Sequence, residues 1–175
     1  MSLSGLVIGY GSIGCRHAEI LSTMDEFSHV SVLSSQAGLP YETISSLKDI
    51  PSLNPDYLVI ASSTDHHHPQ LDFIEKRLKG KKILVEKPLF DSVIDMHVKR
   101  NEVFVGYNLR FHPLIIMIRD LCQNRRLFNI NVFCGSYLPD WRPGRDYRKT
   151  SSARTDSGGG VLLDLSHELD YLKWL

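Results

Sequence analysis

Along the first hundred residues, short apolar runs alternate with stretches whose apolar positions recur every three or four residues. Gly5-Leu6-Val7-Ile8-Gly9 is a continuous apolar run closed by glycine, the pattern of a parallel strand covered on both faces. Residues 13–21 read as a helix, 30–33 as a second strand and 57–61 as a stronger one. Pro69 suits the first turn of a helix that carries Leu71, Ile74 and Leu78 on one face. A strand at 82–85, a short helix near 92–99 and a strand at 103–106 complete the series. Strands alternating with helices predict an α/β fold, a doubly wound parallel sheet, over residues 1–112.

After Pro113 the pattern changes. Residues 114–121 read as a helix, and 128–137 alternate, with Ile130, Val132 and Cys134 on one face, as a strand would. A loop rich in Arg, Ser and Gly covers 138–160, and a last helix covers 161–175. In that helix Leu165, Leu169 and Leu172 form an apolar stripe, while Asp164, His167 and Tyr171 gather on another face. One strand between two helices does not close a sheet. Residues 113–175 are therefore expected to be the start of a second α/β domain with an incomplete sheet, the chain stopping inside it.

Lys plus Arg (20) equals Asp plus Glu (20), so the basic excess of a nucleic-acid binder is missing. Cys15, Cys122 and Cys134 are odd in number and widely spaced. They fit neither a disulfide framework nor a zinc ligand set, and suit a reducing compartment. The longest apolar runs are strand-sized, too short for a membrane span, and the first strand starts too early for a signal peptide. A cytoplasmic protein with no membrane partner is expected.

The candidate chemistry begins at Gly9-Tyr10-Gly11-Ser12-Ile13-Gly14, a G-x-G-x-x-G segment between a predicted strand and a predicted helix. In a Rossmann domain this turn seats a dinucleotide. Gly9 makes the tight turn, Gly11 admits the diphosphate to the backbone, and Gly14 lets helix and strand pack closely. The free N–H groups of the helix start, at Ser12 and Ile13, face the anion. The second strand ends in Ser34-Ser35-Gln36, where an NAD enzyme usually carries a carboxylate for the ribose. Without that carboxylate a 2′-phosphate is not repelled, which mildly favours NADP over NAD, although no arginine stands there to neutralise it.

Three more segments, Glu86-Lys87-Pro88, Gly106-Tyr107-Asn108-Leu109-Arg110-Phe111-His112-Pro113, and Gly158-Gly159-Gly160 with Asp164 and His167 following, complete an ordered set with the glycine loop. The chain thereby resembles the glucose–fructose oxidoreductase / inositol dehydrogenase (Gfo/Idh/MocA) family along nearly its whole length. The resemblance implies NAD(P)-dependent oxidation or reduction of sugars, sugar derivatives or nucleotide sugars, and an open sheet often used for homo-oligomerisation. It implies Lys87 and His167 as catalytic residues, with Asp164 as companion acid, and Pro88 as a brace for the lysine backbone through a cis bond. Relatives usually place one more residue between that Asp and His than stands here. It further implies that Ser62, Ser63, Thr64 and His67 pack along the cofactor, and that Glu86 and Asn108 line its nicotinamide side. Lys87 also falls just beyond the C-terminal end of a parallel strand, where ligands of open α/β sheets bind.

Other features keep two readings each. His66-His67-His68 invites a metal, but adjacent residues in regular structure cannot all face one ion, and no metal is expected. Cys15 sits at a helix start, where a thiol can be activated or can simply pack. Arg110, together with Trp141, Arg142 and Tyr147 in the loop 137–148, could stack on a sugar and grip its anionic group, or the loop could be solvated. Two rival functions also remain: a non-catalytic dinucleotide sensor, and a methyltransferase with a similar glycine loop. The second leaves Glu86-Lys87-Pro88 without a purpose.

Overall fold

The computed structural model describes residues 2–141, 144, 146–154 and 159–175. They divide into two compact units, Met1–Gly106 and Tyr107–Leu175. In the first unit, β1 (Leu3–Ile8), β2 (Phe27–Leu33), β3 (Glu42–Ile44), β4 (Tyr57–Ile60), β5 (Lys82–Val85) and β6 (Glu102–Val105) form one sheet. Its order is β3-β2-β1-β4-β5-β6, and every neighbouring pair runs parallel. The order reverses at β1, which lies between β2 and β4, so the C-terminal ends of β1 and β4 border the switch point of a Rossmann sheet.

The apolar runs are continuous because each sheet face has its own cover. Leu6, Ile8, Leu58, Ile60, Ile83 and Val85 pack with Leu71, Ile74 and Leu78 of and just after helix α3 (Thr64–Arg77), and with Ile50 of the short helix α2 (Ile50–Leu53). Val7, Val32, Val59 and Ala61 face the other way, onto Ala18 and Leu21 of helix α1 (Ser12–Thr23). Alternate residues of one strand point to opposite faces, and here both faces are dry. Burying such a side chain contributes roughly 1.5–3 kcal/mol each, which makes the central strands the anchor of the unit.

Several local expectations are corrected. Helix α3 starts at Thr64 with Ser63 as N-cap, so Pro69 lies inside it rather than in its first turn. Residues 92–99 form no helix; their partly buried apolar side chains, Ile94, Met96 and Val98, fall at alternate positions and not at helical spacing, with Met96 packed on the core and Val93 fully exposed. The end of this stretch is held by Glu75, a buried residue of α3. That carboxylate accepts hydrogen bonds from the backbone N–H of Lys99 (2.8 Å) and Arg100 (2.6 Å) and from Asn101 Nδ2 (2.7 Å). Burial opposes its charge, but the donors outweigh burial and hold its pKa below the ordinary carboxylate range. Strand β3 and helix α2 were not anticipated; each is too short to show a period.

The second unit opens with a 3-10 turn (Asn108–Phe111) and helix α4 (Pro113–Cys122). Residues 128–137 do not form the expected strand. Alternation supplies strand propensity, but a strand exists only when a neighbour completes its hydrogen-bond ladder, and no described residue of this unit does so. Phe128 and Phe133 stand almost fully exposed. The last helix is also interrupted: α5 (Val161–Asp164) and α6 (Ser166–Trp174) are separated at Leu165, with φ −97° and ψ 31°. Of the expected apolar stripe, Leu165 and Leu172 are half-buried and Leu169 is 55% exposed. What holds α6 is polar: Arg110 donates from Nε to Asp170 Oδ2 (2.8 Å) and from a terminal nitrogen to Oδ1 (2.5 Å). Arg119 stacks on the Trp174 ring at 4.2 Å.

Candidate functional site

The turn after β1 carries the phosphate-loop sequence, and its three glycines answer to three different demands. Gly9 has φ +92°, and a Cβ there would lie 2.8 Å from the Ser62 backbone nitrogen. At Gly14, buried in α1, a Cβ would lie 1.9 Å from the Gly9 carbonyl oxygen. These two are required by the fold itself, the first for chain direction and the second for helix–strand contact. Gly11 is different. Its backbone (φ −79°, ψ −168°) is open to any residue, and a Cβ there would meet nothing within 4 Å. Packing among the described residues gives no reason for a glycine at 11, whereas a backbone that must admit a diphosphate does. Gly11, Ser12 and Ile13 are exposed at the start of α1, so its first N–H groups are accessible to an anion.

Ser35 is exposed beyond β2, and the Ser34 hydroxyl accepts the Gln36 backbone N–H (3.1 Å). The Gln36 side chain donates to the Tyr10 carbonyl (2.8 Å), tying the end of β2 to the phosphate loop. The sequence marks Gln36 only as a missing carboxylate; its position after β2 is the signal that points to this contact. Cys15 donates to Glu19 Oε1 (3.2 Å), and its sulfur lies 3.5 Å from the Tyr10 hydroxyl. The bond to the thiol, with some burial, pushes the Tyr10 phenol up to about 12.

After β4, Ser62 donates to Gln70 Oε1 (2.7 Å) and the Ser63 hydroxyl lies 2.8 Å from His66 Nδ1. Thr64 begins α3. His67 is buried, unlike exposed His66. Its Nδ1 lies 3.1 Å from the Pro88 carbonyl oxygen and its Nε2 lies 3.1 Å from that of Ser62. The ring thus joins the loop after β4 to the segment after β5. No group of three potential metal ligands occurs among the described residues.

That segment holds Glu86, Lys87 and Pro88 at the end of β5, and the Lys87–Pro88 bond is cis. Lys87 is half-buried and Pro88 buried. Glu86 extends the ladder through its N–H to the Ile60 carbonyl (2.9 Å). Its carboxylate meets His17 Nε2 at 2.6 Å and accepts the Lys87 backbone N–H at 3.3 Å.

In the second unit, Asn108 is exposed in the opening turn. Arg110 is held by Asp170, whose hydrogen bonds push the guanidinium pKa up further. Asp164 ends α5, and His167 lies in the first turn of α6, both half-buried. The His167 ring meets Tyr107 edge to face, with centroids 5.7 Å apart. Trp141, whose indole N–H donates to the Ser136 hydroxyl, is 41% exposed and Tyr147 is 38% exposed. Arg142 and Gly158 lie outside the described residues.

A parallel sheet with this strand order, and a glycine turn at its switch point, define a dinucleotide-binding Rossmann domain. The family model for the Gfo/Idh/MocA oxidoreductases, an oxidoreductase family with an NAD-binding Rossmann fold, matches residues 3–98. The chain belongs to that family. Among curated proteins it is similar to the inositol 2-dehydrogenase of Rhizobium meliloti (strain 1021), with 25% identity over 193 residues, 97% of this chain and 53% of the relative. The chain spans about half the length of the curated relatives it matches. Among solved structures it is similar to the WlbA dehydrogenase from Bordetella pertussis in complex with NADH and UDP-GlcNAcA. That match has a TM-score of 0.74 and 18% identity, and covers 100% of this chain and 58% of the other. Scyllo-inositol dehydrogenase from Lactobacillus casei, with bound NAD(H) and scyllo-inositol, matches at a TM-score of 0.56 and 18% identity, over 69% of this chain and 41% of the other. No described helix is long and apolar enough to cross a membrane.

Proposed function

We propose that this chain forms part of a cytoplasmic NAD(P)-dependent dehydrogenase of a sugar, sugar derivative or nucleotide sugar, working as a homo-oligomer. The observation that carries the reading is Gly11, a glycine that no packing contact within 4 Å among the described residues requires, at the head of a helix whose first N–H groups are exposed. These features fit a diphosphate, and Gly9 and Gly14 keep the turn in the shape that presents them. The bound nicotinamide cofactor supplies hydride exchange at the substrate's carbinol or keto carbon.

The chain's own groups do the rest. Lys87 and His167 share proton transfer at the substrate oxygen, and Asp164 orients His167. Ser12, Ile13, Ser62, Ser63, Thr64, His67, Glu86 and Asn108 form or support the cofactor seat. Arg110, Trp141, Arg142 and Tyr147 contact substrate. Ser34 and Ser35 take the adenosine ribose, and the lack of a carboxylate beside them mildly favours NADP. The molecules bound by similar structures, scyllo-inositol in one and UDP-GlcNAcA in another, support the substrate class. Fluorescence titration with NADH and NADPH, followed by turnover on a panel of inositols and UDP-sugars, tests the reading. Failure of both cofactors to bind would refute it.

A further inference from the structure

We infer that His17 and Glu86 are a positioning pair that links the helix at the cofactor diphosphate to the backbone of Lys87; the inference rests on Lys87 acting in proton transfer. The geometry is specific. An ionised carboxylate only accepts hydrogen bonds, so His17 Nε2 donates to Glu86 Oε1 at 2.6 Å. The other oxygen, Oε2, accepts the Lys87 backbone N–H at 3.3 Å. One carboxylate therefore holds a helix side chain and the lysine's main chain at once.

The setting supports a designed contact. Both side chains are largely shielded, with 20% of His17 and 18% of Glu86 exposed, and a charge-assisted bond is stronger there than on the surface. His17 lies on α1, one turn beyond Gly14 of the phosphate loop. Gly106, at the end of β6, makes the third wall: a Cβ there would sit 3.3 Å from the Glu86 Cδ and from both of its oxygens. A side chain at 106 would thus press on the carboxylate. The glycine loop, the Glu-Lys-Pro segment and Gly106 are far apart in sequence and meet at this one group. Any displacement of α1 would therefore be passed through His17 and Glu86 to the Lys87 backbone, and misplacing a reacting group by about 1 Å can cost about 100-fold in rate.

The test uses the 15N-labelled chain and follows the Lys87 backbone amide by NMR, first free and then during titration with NADH. His17→Ala should move the Lys87 signal in the free chain and weaken its response to NADH, while the Gly14 signal still saturates. His17→Gln should restore the wild-type behaviour, because the Gln side-chain amide can donate from nearly the same position as Nε2. A Lys87 signal indifferent to His17→Ala overturns the inference, as does a failure of Gln to restore it. Should His17→Ala not fold, Gly106→Ala replaces it by pressing on the carboxylate, and an unmoved Lys87 signal there overturns the inference equally. The catalytic reading fails separately: unchanged turnover in Lys87→Ala would remove the lysine's role while leaving the amide coupling visible.

Discussion

Gly11 and Gly14 stand three residues apart in one motif, yet replacing each by alanine should have opposite consequences. At Gly11 the new methyl meets no atom of the described residues within 4 Å and the backbone is already in an extended conformation that alanine adopts freely. Restricting the unfolded chain should stabilise by about 0.4–1 kcal/mol. Alanine is a poorer N-cap than glycine, at a cost of about 0.5–1 kcal/mol. The two nearly cancel, so unfolding free energy should stay within about 0.5 kcal/mol of wild type. Cofactor affinity should nonetheless fall at least tenfold, about 1.4 kcal/mol, because the methyl occupies the diphosphate's approach. At Gly14 the methyl would sit 1.9 Å from the Gly9 carbonyl oxygen. Helix and turn must part by about 1 Å, an overpacking cost of roughly 3 kcal/mol, of which better helix propensity returns about 1 kcal/mol. A net loss near 2 kcal/mol corresponds to a melting temperature lower by about 4–8 °C for a chain of this size. Thermal unfolding and NADH fluorescence titration on both variants read the two quantities separately. Wild-type affinity in Gly11→Ala, or wild-type stability in Gly14→Ala, would refute the division of labour drawn from the geometry.

Three further outcomes are expected. Lys87→Ala and His167→Ala should each lower turnover by roughly 10²–10⁴-fold with far smaller changes in cofactor affinity, while His66→Ala should be near neutral; kinetics showing His66 essential and His167 dispensable would reverse the assignment. NADPH should bind at least as tightly as NADH, and a tenfold preference for NADH, about 1.4 kcal/mol, would contradict the reading of Ser34 and Ser35. Glu75 has a folded pKa below its unfolded value of about 4.3, so its stabilisation is fully present above pH ~5 and is lost as pH falls through the folded value. Glu75→Gln should remove that pH dependence and cost about 1.5–3 kcal/mol, measurable by urea unfolding at pH 7 and pH 3.

The sheet of the first unit was legible because its information is local. Buried parallel strands need continuous apolar runs, as at residues 5–9 and 57–61, and these cannot be mistaken for solvated segments. The glycine turn was legible for the same reason, since G-x-G-x-x-G between a strand and a helix encodes its own turn. The tertiary structure decided what depends on a distant partner. Residues 128–137 carry the alternation of a strand but form none, because a ladder needs a second segment and no described residue provides it. Residues 92–99 give way to an irregular path that the Glu75 carboxylate caps from 24 positions away. The different roles of Gly9, Gly11 and Gly14 also came only from their neighbours: the motif is one string of letters, but Ser62 and the Gly9 carbonyl crowd two of its glycines and nothing crowds the third. The union of His17, Glu86 and Gly106 is of the same kind. No periodicity joins positions 17, 86 and 106; the parallel pairing of β5 and β6 sets 86 beside 106 at their C-terminal ends, and helix α1 brings His17 to the Glu86 carboxylate.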